Sequence, residues 1–290
     1  MPPYQPRLSS RSRFVAIRRL NLHVREWGEE GDPPLVLLHG HQDASATFQF
    51  VVDAMAGRWR ILAPDWRGHG RSEWAPGGYW FQDYLADLDA LWPELVGDEP
   101  APIVGHSLGG NVASVFAGVR PDRVSRLVSL DGFGLPDRPA ADAPRHLRRW
   151  LDGWRTPPDA KPRPDLAGFA ARLRAANPRL DEARADFLAE RLTLPVEGGL
   201  AWAFDPLHRL PFGVIARHAE WEACVREIAA PVLWIGSGAP FPPGLGEEAL
   251  RGRAELARAS FQHLPGTGHN LHHDAPSEVA RLVEDFLRQP

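Results

Sequence analysis

The chain has 290 residues, enough for one large hydrophobic core or for a core domain that carries an insertion. Apolar residues make up 43% and charged residues 24%, and the formal net charge is only -4, so neither nucleic acid nor an anionic membrane surface is an expected partner. The single cysteine, Cys224, excludes an internal disulfide, and no apolar run is long enough to cross a bilayer, so a cytoplasmic location is expected. A monomer or homodimer is the expected oligomeric state.

Short apolar runs alternate with longer amphipathic stretches along the chain. This alternation is typical of α/β proteins, whose parallel strands are buried on both faces. The polarity of Phe14–Trp27 alternates instead, which predicts a pair of antiparallel edge strands. The buried strands are predicted at Leu35–Leu38, Arg60–Pro64, Pro102–Gly105, Val124–Leu130, Pro231–Gly236 and Ser260–Leu264.

Helices are predicted where apolar residues recur at helical spacing, over Tyr79–Val96, Leu108–Val119 and Pro276–Leu287. The segment 136–222 breaks the alternation, since it is rich in Pro, Arg and Trp and shows no convincing strand. Two helical pieces fit within it, Leu166–Ala176 and Asp181–Leu192. We therefore predict a core formed by residues 1–135 and 223–290, and a helical cap formed by residues 136–222 over the carboxyl edge of the sheet.

The segment Gly105-His106-Ser107-Leu108-Gly109-Gly110 carries the strongest chemical signal. It matches the pattern Gly-x-Ser-x-Gly between a predicted strand and a predicted helix, a context in which a tight turn exposes a nucleophilic serine. Bulky side chains at the flanking glycines would collide with neighbouring backbone, and the helix that follows directs free N–H groups at a developing oxyanion. Ser107 is therefore the candidate nucleophile, and His106 is interpreted as a packing residue.

A general base must lie within hydrogen-bond reach of that serine. His269, in Gly266-Thr267-Gly268-His269-Asn270, follows the last predicted strand at the same edge of the sheet. The small residues before it let the loop fold inward, so His269 is the candidate base. His272 and His273 are the nearest rivals and are interpreted as surface or helix-entry residues.

An oxyanion hole needs two N–H donors fixed before charge develops. Leu108, directly after the nucleophile, is one candidate. The other is His41, in the segment His39-Gly40-His41-Gln42-Asp43 that follows the first buried strand. The side chain of His41 either lines the pocket or is partly exposed in this loop.

Four segments together resemble the α/β-hydrolase superfamily: Leu37-Leu38-His39-Gly40, Pro64-Asp65-Trp66-Arg67-Gly68-His69-Gly70-Arg71-Ser72, Gly105–Gly110 and Gly268-His269. The resemblance spans nearly the whole core and implies an α/β-hydrolase fold, a mostly parallel central sheet flanked by helices with a helical cap insertion. It also implies a chain order of nucleophile, acid and histidine. In the resembling proteins the second of these segments is structural, and an internal ion pair between Asp65 and Arg67 is the expectation.

The orienting acid is the point at which this chain departs from the family. The usual acid follows the strand Pro231–Gly236, but Ala239 stands at that position. Some members carry the acid one strand earlier, and here that position is Asp131, at the end of Val124–Leu130. A histidine Nδ1–H is a suitable partner for a carboxylate that would otherwise be isolated. Asp131 is thus the predicted acid, with a helix or turn cap as the alternative. Asp43, Asp87 and Asp274 are interpreted as cap or surface residues.

These residues predict acyl transfer to water through an acyl-enzyme, on a small-molecule acyl substrate such as a carboxylic ester, with no metal or organic cofactor. A serine nucleophile, rather than aspartate, argues against dehalogenase or epoxide hydrolase chemistry. Two alternatives stay open: a C–C bond hydrolase or lyase with the same triad, and a ligand-binding receptor or regulatory protein with weak turnover. Candidate substrate-binding residues are Gln42, Phe133, Trp202 and Phe204.

Overall fold

The predicted edge pair and the six predicted apolar runs form eight of the ten strands that the structure describes. In the computed structural model, which describes residues 2–134, 137–238 and 246–289, the strands are β1 (Arg11–Ile17), β2 (Leu20–Trp27), β3 (Pro34–Leu38), β4 (Arg60–Pro64), β5 (Ala101–His106), β6 (Val124–Leu130), β7 (Thr193–Val196), β8 (Gly199–Trp202), β9 (Val232–Ser237) and β10 (Ser260–Leu264). Eight of them form one sheet in the order β1-β2-β4-β3-β5-β6-β9-β10. The hairpin β1–β2 is antiparallel and joins β4 antiparallel, and the remaining pairings are parallel.

The order of the strands creates a crevice at one edge of the sheet. After β3 the chain forms β4 on one side of β3, and then crosses to form β5 on the other side. Loops that leave the carboxyl ends of β3 and β5 therefore diverge, and ligands of open α/β sheets bind at such a switch point. The segment after β3 begins at His39 and the segment after β5 begins at Ser107, so this topology brings the two predicted motifs together.

Helices cover both faces of the sheet. They are α1 (Gln49–Ala54), α2 (Phe81–Val96), α3 (Leu108–Val119), α4 (Ala143–Arg155), α5 (Ala167–Ala176), α6 (Glu182–Arg191), α7 (His218–Arg226), α8 (Glu247–Leu256), α9 (Leu271–Asp274) and α10 (Pro276–Leu287). Residues of α2, α3, α7 and α8 share one buried apolar cluster with one face of the sheet, and residues of α1 and α10 share another with the opposite face. Central strands such as β3 and β9 are largely apolar because both of their faces are covered.

The segment between β6 and β9 contributes to a third, smaller apolar cluster. Phe169 of α5 and Leu188 of α6 are buried with each other and with Phe50 of α1. The prediction of no strand in this segment is wrong, because β7 and β8 form an antiparallel hairpin. Its tight turn uses Gly198 at φ +84°, a conformation that glycine adopts readily. Pro195 inside β7 obscured this hairpin in the sequence, since proline is atypical of paired strands.

The predicted boundary between cap and core at residue 222 falls inside α7, whose Val225 is buried in the main apolar cluster. The division of the chain into core and cap stays a prediction. In the part of the chain that the structure describes, no helix combines the length and the apolar character needed to span a membrane.

Candidate active site

Ser107 lies at a sharp turn between β5 and α3. Its backbone has φ +51° and ψ -113°, a strained combination for a residue with a side chain, which costs on the order of 1–3 kcal/mol. The flanking glycines permit the turn: a Cβ on Gly105 would lie 2.4 Å from the Gly109 carbonyl oxygen, and a Cβ on Gly109 would lie 2.2 Å from the Leu38 carbonyl oxygen. The Ser107 N–H donates to Leu130 O at 2.8 Å and fixes the turn to β6.

His269 faces this serine from the loop between β10 and α9. Its Nε2 lies 3.0 Å from Ser107 Oγ. The loop is anchored on both sides of the histidine, because Gly268 N–H donates to Asp274 Oδ2 at 2.6 Å and His106 Nε2–H donates to the His269 carbonyl at 2.9 Å. The side chain of His269 is 56% exposed, so it is accessible from solvent.

Asp131 lies directly after β6, behind the imidazole of His269. Its Oδ2 is 3.1 Å from His269 Nδ1, and its Oδ1 accepts from Ser237 N–H at 2.8 Å. The backbone of Asp131 has φ +51°, and its N–H donates to Ile235 O at 3.0 Å. With the proton on Nδ1, His269 donates to Asp131 and accepts from the Ser107 hydroxyl, which is the tautomer that a general base needs. Ala239, the residue at the family's usual acid position, lies outside the described residues.

The two candidate oxyanion donors occupy the segments that the sequence predicts. Leu108 is the first residue of α3, where an N–H has no partner within the helix. His41 follows β3, and its ring contacts the rings of His69, His208 and Phe212 at centroid distances of 5.5 to 6.3 Å. The role of both N–H groups in holding an oxyanion stays a prediction.

A cavity of about 540 Å³ has His41 in its wall, while the described triad side chains themselves are not part of that wall. Three residues of its wall lead to the site: His41, Asn111 one turn after Ser107, and Gly134 three residues after Asp131. The Asn111 side chain, which the sequence analysis did not single out, accepts from Gly134 N–H at 2.7 Å. In the sequence, Asn111 is distinguished only by being the one amide residue in a helix of mostly small and apolar residues. The apolar part of the wall includes Trp80, Phe81, Leu85, Val115, Phe212 and Trp221.

The predicted substrate-binding residues lie elsewhere in the described structure. Phe133 packs on Trp234 at a ring distance of 5.2 Å, and Trp202 packs edge-on against Phe169 at 4.7 Å. Phe204 is buried beside His69, to which its backbone is paired. None of the three lines the cavity: Phe133 and Phe204 are buried, and Trp202 is partly buried against the cluster that contains Phe169.

Gln42 ties the loop after β3 to the segment between β6 and β9 instead of lining the cavity. It is held at φ +58°; its N–H donates to His69 Nε2 at 3.1 Å and its side-chain amide donates to His208 O at 3.2 Å. These partners lie 27 and 166 residues further along the chain, which is why the sequence pattern did not reveal the link.

The expected ion pair between Asp65 and Arg67 is wrong. Asp65 is buried and accepts from the ring of His23 at 2.7 Å. Burial acts to raise the pKa of Asp65, but the hydrogen bond from His23 and the charge of its ring help to hold that pKa well below its usual range. Arg67 instead forms two bonds of 2.6 Å to Asp87 of α2. Asp87 is therefore a buried partner and not a cap or surface residue.

The interpretations of three further residues also need correction. Asp274 has a side chain only 2% exposed and anchors Gly268, so it is not a surface residue. His272 and His273 lie in the short helix α9, in agreement with helix entry, but both are buried rather than at the surface. Burial lowers the pKa of His272 well below its ordinary value and that of His273 to about 3, so both are neutral at pH 7.

Two groups of side chains within the described residues are close enough to bind one metal ion: His41 with His69 and His208, and Asp43 with His106 and His272. In the first group the ring nitrogens of His69 and His208 have other partners. His69 Nε2 accepts from Gln42 N–H and its Nδ1 donates to Arg67 O, while His208 contacts Tyr84 and Arg67.

A strained serine between a parallel strand and a helix, with a histidine and a carboxylate at the same sheet edge, defines the class as a hydrolase of the α/β type. The chain belongs to the alpha/beta hydrolase fold family, whose sequence model matches residues 33–276. The predicted superfamily and fold class are therefore confirmed.

Several characterised sequences and structures are similar to this chain. It is 29% identical over 280 residues to a serine hydrolase-like protein of Danio rerio, covering 92% of this chain and 85% of that protein. It is 32% identical to 2-(acetamidomethylene)succinate hydrolase of Mesorhizobium japonicum, covering 95% of each. The thioesterase domain from the curacin biosynthetic pathway superposes with a TM-score of 0.84 at 29% identity, covering 95% of this chain and 99% of that domain.

Proposed function

We propose that this hydrolase cleaves a carboxylic ester, or a related acyl compound such as a thioester, by a serine mechanism with Ser107, His269 and Asp131 as its triad. The observation that carries the proposal is the continuous chain of hydrogen bonds from Ser107 Oγ to His269 Nε2, at 3.0 Å, and from His269 Nδ1 to Asp131 Oδ2, at 3.1 Å. A serine hydroxyl is a weak nucleophile until a neighbouring base removes its proton. This geometry supplies that base and holds its ring in the required orientation.

The reaction would proceed in two acyl-transfer steps. Ser107 attacks the substrate carbonyl as His269 takes its proton, and the oxyanion is stabilised by the N–H groups of Leu108 and His41. His269 then gives the proton to the leaving alcohol, which departs and leaves an acyl-enzyme. Water, deprotonated by His269, attacks this ester and restores Ser107. The Asp131 carboxylate stabilises the imidazolium in both steps without taking its proton.

The cavity lined by His41, Asn111 and Gly134 is suited to the apolar part of an acyl substrate. Its volume of about 540 Å³ is in the range of small-molecule sites, and much of its wall is aromatic or aliphatic. Each buried methylene contributes about 0.8 kcal/mol, so a chain of several carbons is expected to bind better than acetate. A p-nitrophenyl ester series from acetate to dodecanoate should therefore show a maximum in kcat/KM at an intermediate length. Val115→Phe, which fills part of the cavity, should move that maximum to shorter chains.

The decisive test is covalent labelling of Ser107 with a fluorophosphonate, read by mass spectrometry of the tryptic peptide. We expect stoichiometric labelling of the wild type, none of Ser107→Ala, and ordinary labelling of Ser125→Ala, whose serine is exposed on β6. Ester turnover should follow the same pattern. Ligand binding with negligible labelling and turnover would support the regulatory binding protein instead, and turnover of a C–C substrate alone would support the C–C bond hydrolase. A cytoplasmic location and a monomeric or homodimeric state stay predictions from the sequence.

A further inference from the structure

A second cluster of reactive side chains lies behind the candidate triad. Asp43 comes from the loop after β3, His106 ends β5, and His272 belongs to α9. One ligand atom from each lies within 4.8 Å of the other two, and the rings of His106 and His272 have centroids 4.3 Å apart. Asp43 and His106 are 63 positions apart in the chain, and His106 and His272 are 166 positions apart, so only the fold brings them together.

The histidines of this cluster offer free lone pairs. His106 is 2% exposed, and its Nε2 carries a proton because it donates to the His269 carbonyl. Its Nδ1 therefore has the lone pair, and no described residue forms a hydrogen bond to it. His272 is fully buried, and neither of its ring nitrogens has a hydrogen-bond partner within the described part of the chain. Burial lowers the pKa of both rings well below the usual value, which keeps them neutral and able to bind a cation. Buried polar atoms without partners are rare in proteins, so this pair calls for an additional ligand.

The third residue adds negative charge to the cluster. Asp43 Oδ2 accepts from Thr47 Oγ1–H at 3.1 Å, a bond that orients the carboxylate. Desolvation of the carboxylate, and to a lesser extent the negative charge of Asp65, raise the pKa of Asp43 to about 7. A bound divalent ion would offset that desolvation. Thr47 would then orient a metal-bound carboxylate from outside the coordination sphere, and the His269 carbonyl would orient the metal-bound ring of His106 in the same way.

We propose that Asp43, His106 and His272 bind one divalent transition-metal ion, with Zn²⁺ the best matched. Two imidazole nitrogens and one carboxylate oxygen are the donors that Zn²⁺, Co²⁺ and Ni²⁺ accept, whereas Mg²⁺ and Ca²⁺ prefer oxygen donors alone. The neighbouring trio of His41, His69 and His208 is a weaker site, since the ring nitrogens of His69 and His208 already contact other groups. The ion would hold the nucleophile turn, through His106, to the helix that follows His269. This proposal does not depend on the substrate or on the hydrolytic activity.

The test is equilibrium binding of Zn²⁺ alone to the chelator-treated full-length chain, by calorimetry at pH 7. We expect one ion per chain, with binding weakened at least tenfold in Asp43→Asn and in His272→Gln. Two matched controls should keep wild-type affinity: His208→Gln, which alters the other trio, and His269→Gln, which removes the accessible triad imidazole. Mg²⁺ at millimolar concentration should neither bind nor displace Zn²⁺.

A measurement on the wild type protects the test against variants that fail to fold. X-ray absorption at the zinc edge should show scattering from two imidazole rings together with oxygen donors, and the Co²⁺ form should show visible absorption bands of a low-coordinate site. The proposal is overturned if Zn²⁺ does not bind, if the wild-type spectrum lacks two imidazoles, or if binding is lost in His208→Gln or His269→Gln and kept in folded His272→Gln.

Discussion

Asp131 is the residue whose role depends most on exact side-chain chemistry. An asparagine there can still accept from Ser237 N–H, but its amide NH₂ would face His269 Nδ1 and favour the tautomer that carries the proton on Nε2. That tautomer cannot take the proton of Ser107. We expect Asp131→Asn to lower kcat on p-nitrophenyl esters by roughly 10³- to 10⁴-fold, with little change in thermal stability. Asp89→Asn, at an exposed aspartate, is the control; near wild-type turnover of Asp131→Asn would refute the assignment of the acid.

Asp274 is expected to position the candidate base from a distance. Its two carboxylate oxygens accept from Gly268 N–H and from the Asn177 side chain, each at 2.6 Å. Asparagine has one acceptor oxygen, so Asp274→Asn leaves one of these donors without a partner and loosens the loop before His269. A misplacement of about 1 Å can reduce the rate on the order of 10²-fold, and we expect kcat to fall by about tenfold with KM less affected. Asn177→Ala removes only the other bond, so an equal loss of kcat in that variant would contradict the positioning role.

At the scale of elements, the contact between α3 and β3 leaves no room for a side chain. A Cβ at Gly109 would meet the backbone carbonyl of Leu38 at 2.2 Å, and backbone cannot move aside as a flexible side chain can. We expect Gly109→Ala to destabilise the fold by about 1–3 kcal/mol and to displace Ser107 with α3.

Gly252 gives the matched control on another helix. It lies within α8, and no atom of the described residues lies within 4 Å of a Cβ there. Gly252→Ala should therefore stabilise the protein by about 0.5–1 kcal/mol through helix propensity. Urea unfolding curves measure both variants. Equal changes in the free energy of unfolding for the two substitutions would show that the close approach of α3 to β3 is not the reason why residue 109 is a glycine.

The sequence predicted elements well where the signal is local. Continuous apolar runs such as Leu35–Leu38 and helical spacing such as that of Pro276–Leu287 depend only on neighbouring residues, and the structure has β3 and α10 there. The hairpin β7–β8 was missed because each strand has only four residues and one contains a proline. Strands this short carry too few alternations to be distinguished from loop.

Pairings between elements were harder to predict than the elements themselves. Arg67 lies 20 residues before its partner Asp87, and Asp87 belongs to a helix whose other face is apolar. The segments that meet at the candidate triad were predictable because the family's motifs mark them. The cavity wall was not, since Phe133, Trp202 and Phe204 are aromatic for reasons of packing, and aromatic character alone does not separate a pocket from a core.

At the scale of the whole molecule, the buried histidines determine how stability depends on pH. Desolvation lowers the pKa of His39 to about 4, of His273 to about 3 and of His208 to about 2, whereas an unfolded histidine titrates near ~6.5. Between pH 6.5 and 4 the unfolded chain therefore binds more protons than the folded chain, and stability falls as the pH falls. The raised pKa of Asp43, about 7, has the opposite effect on stability, because the folded chain keeps a proton that the unfolded chain has lost. It offsets the contribution of one buried histidine. The lowered pKa of Asp65 acts only in the more acidic range, below the ordinary carboxyl pKa.

We expect the free energy of unfolding to decrease steadily from pH 7 to pH 5, measured by urea titration at constant ionic strength. Each buried histidine contributes about 1.4 kcal/mol per pH unit once the unfolded chain is protonated. His273→Phe replaces one of them by an apolar ring beside Phe50, so the slope should decrease by about one proton whatever the variant's absolute stability. His263→Gln, at an exposed position on β10, should keep the wild-type slope. A free energy of unfolding that stays flat or rises towards pH 5 would contradict this prediction. It would mean that the buried rings bind protons in the folded chain as readily as in the unfolded chain.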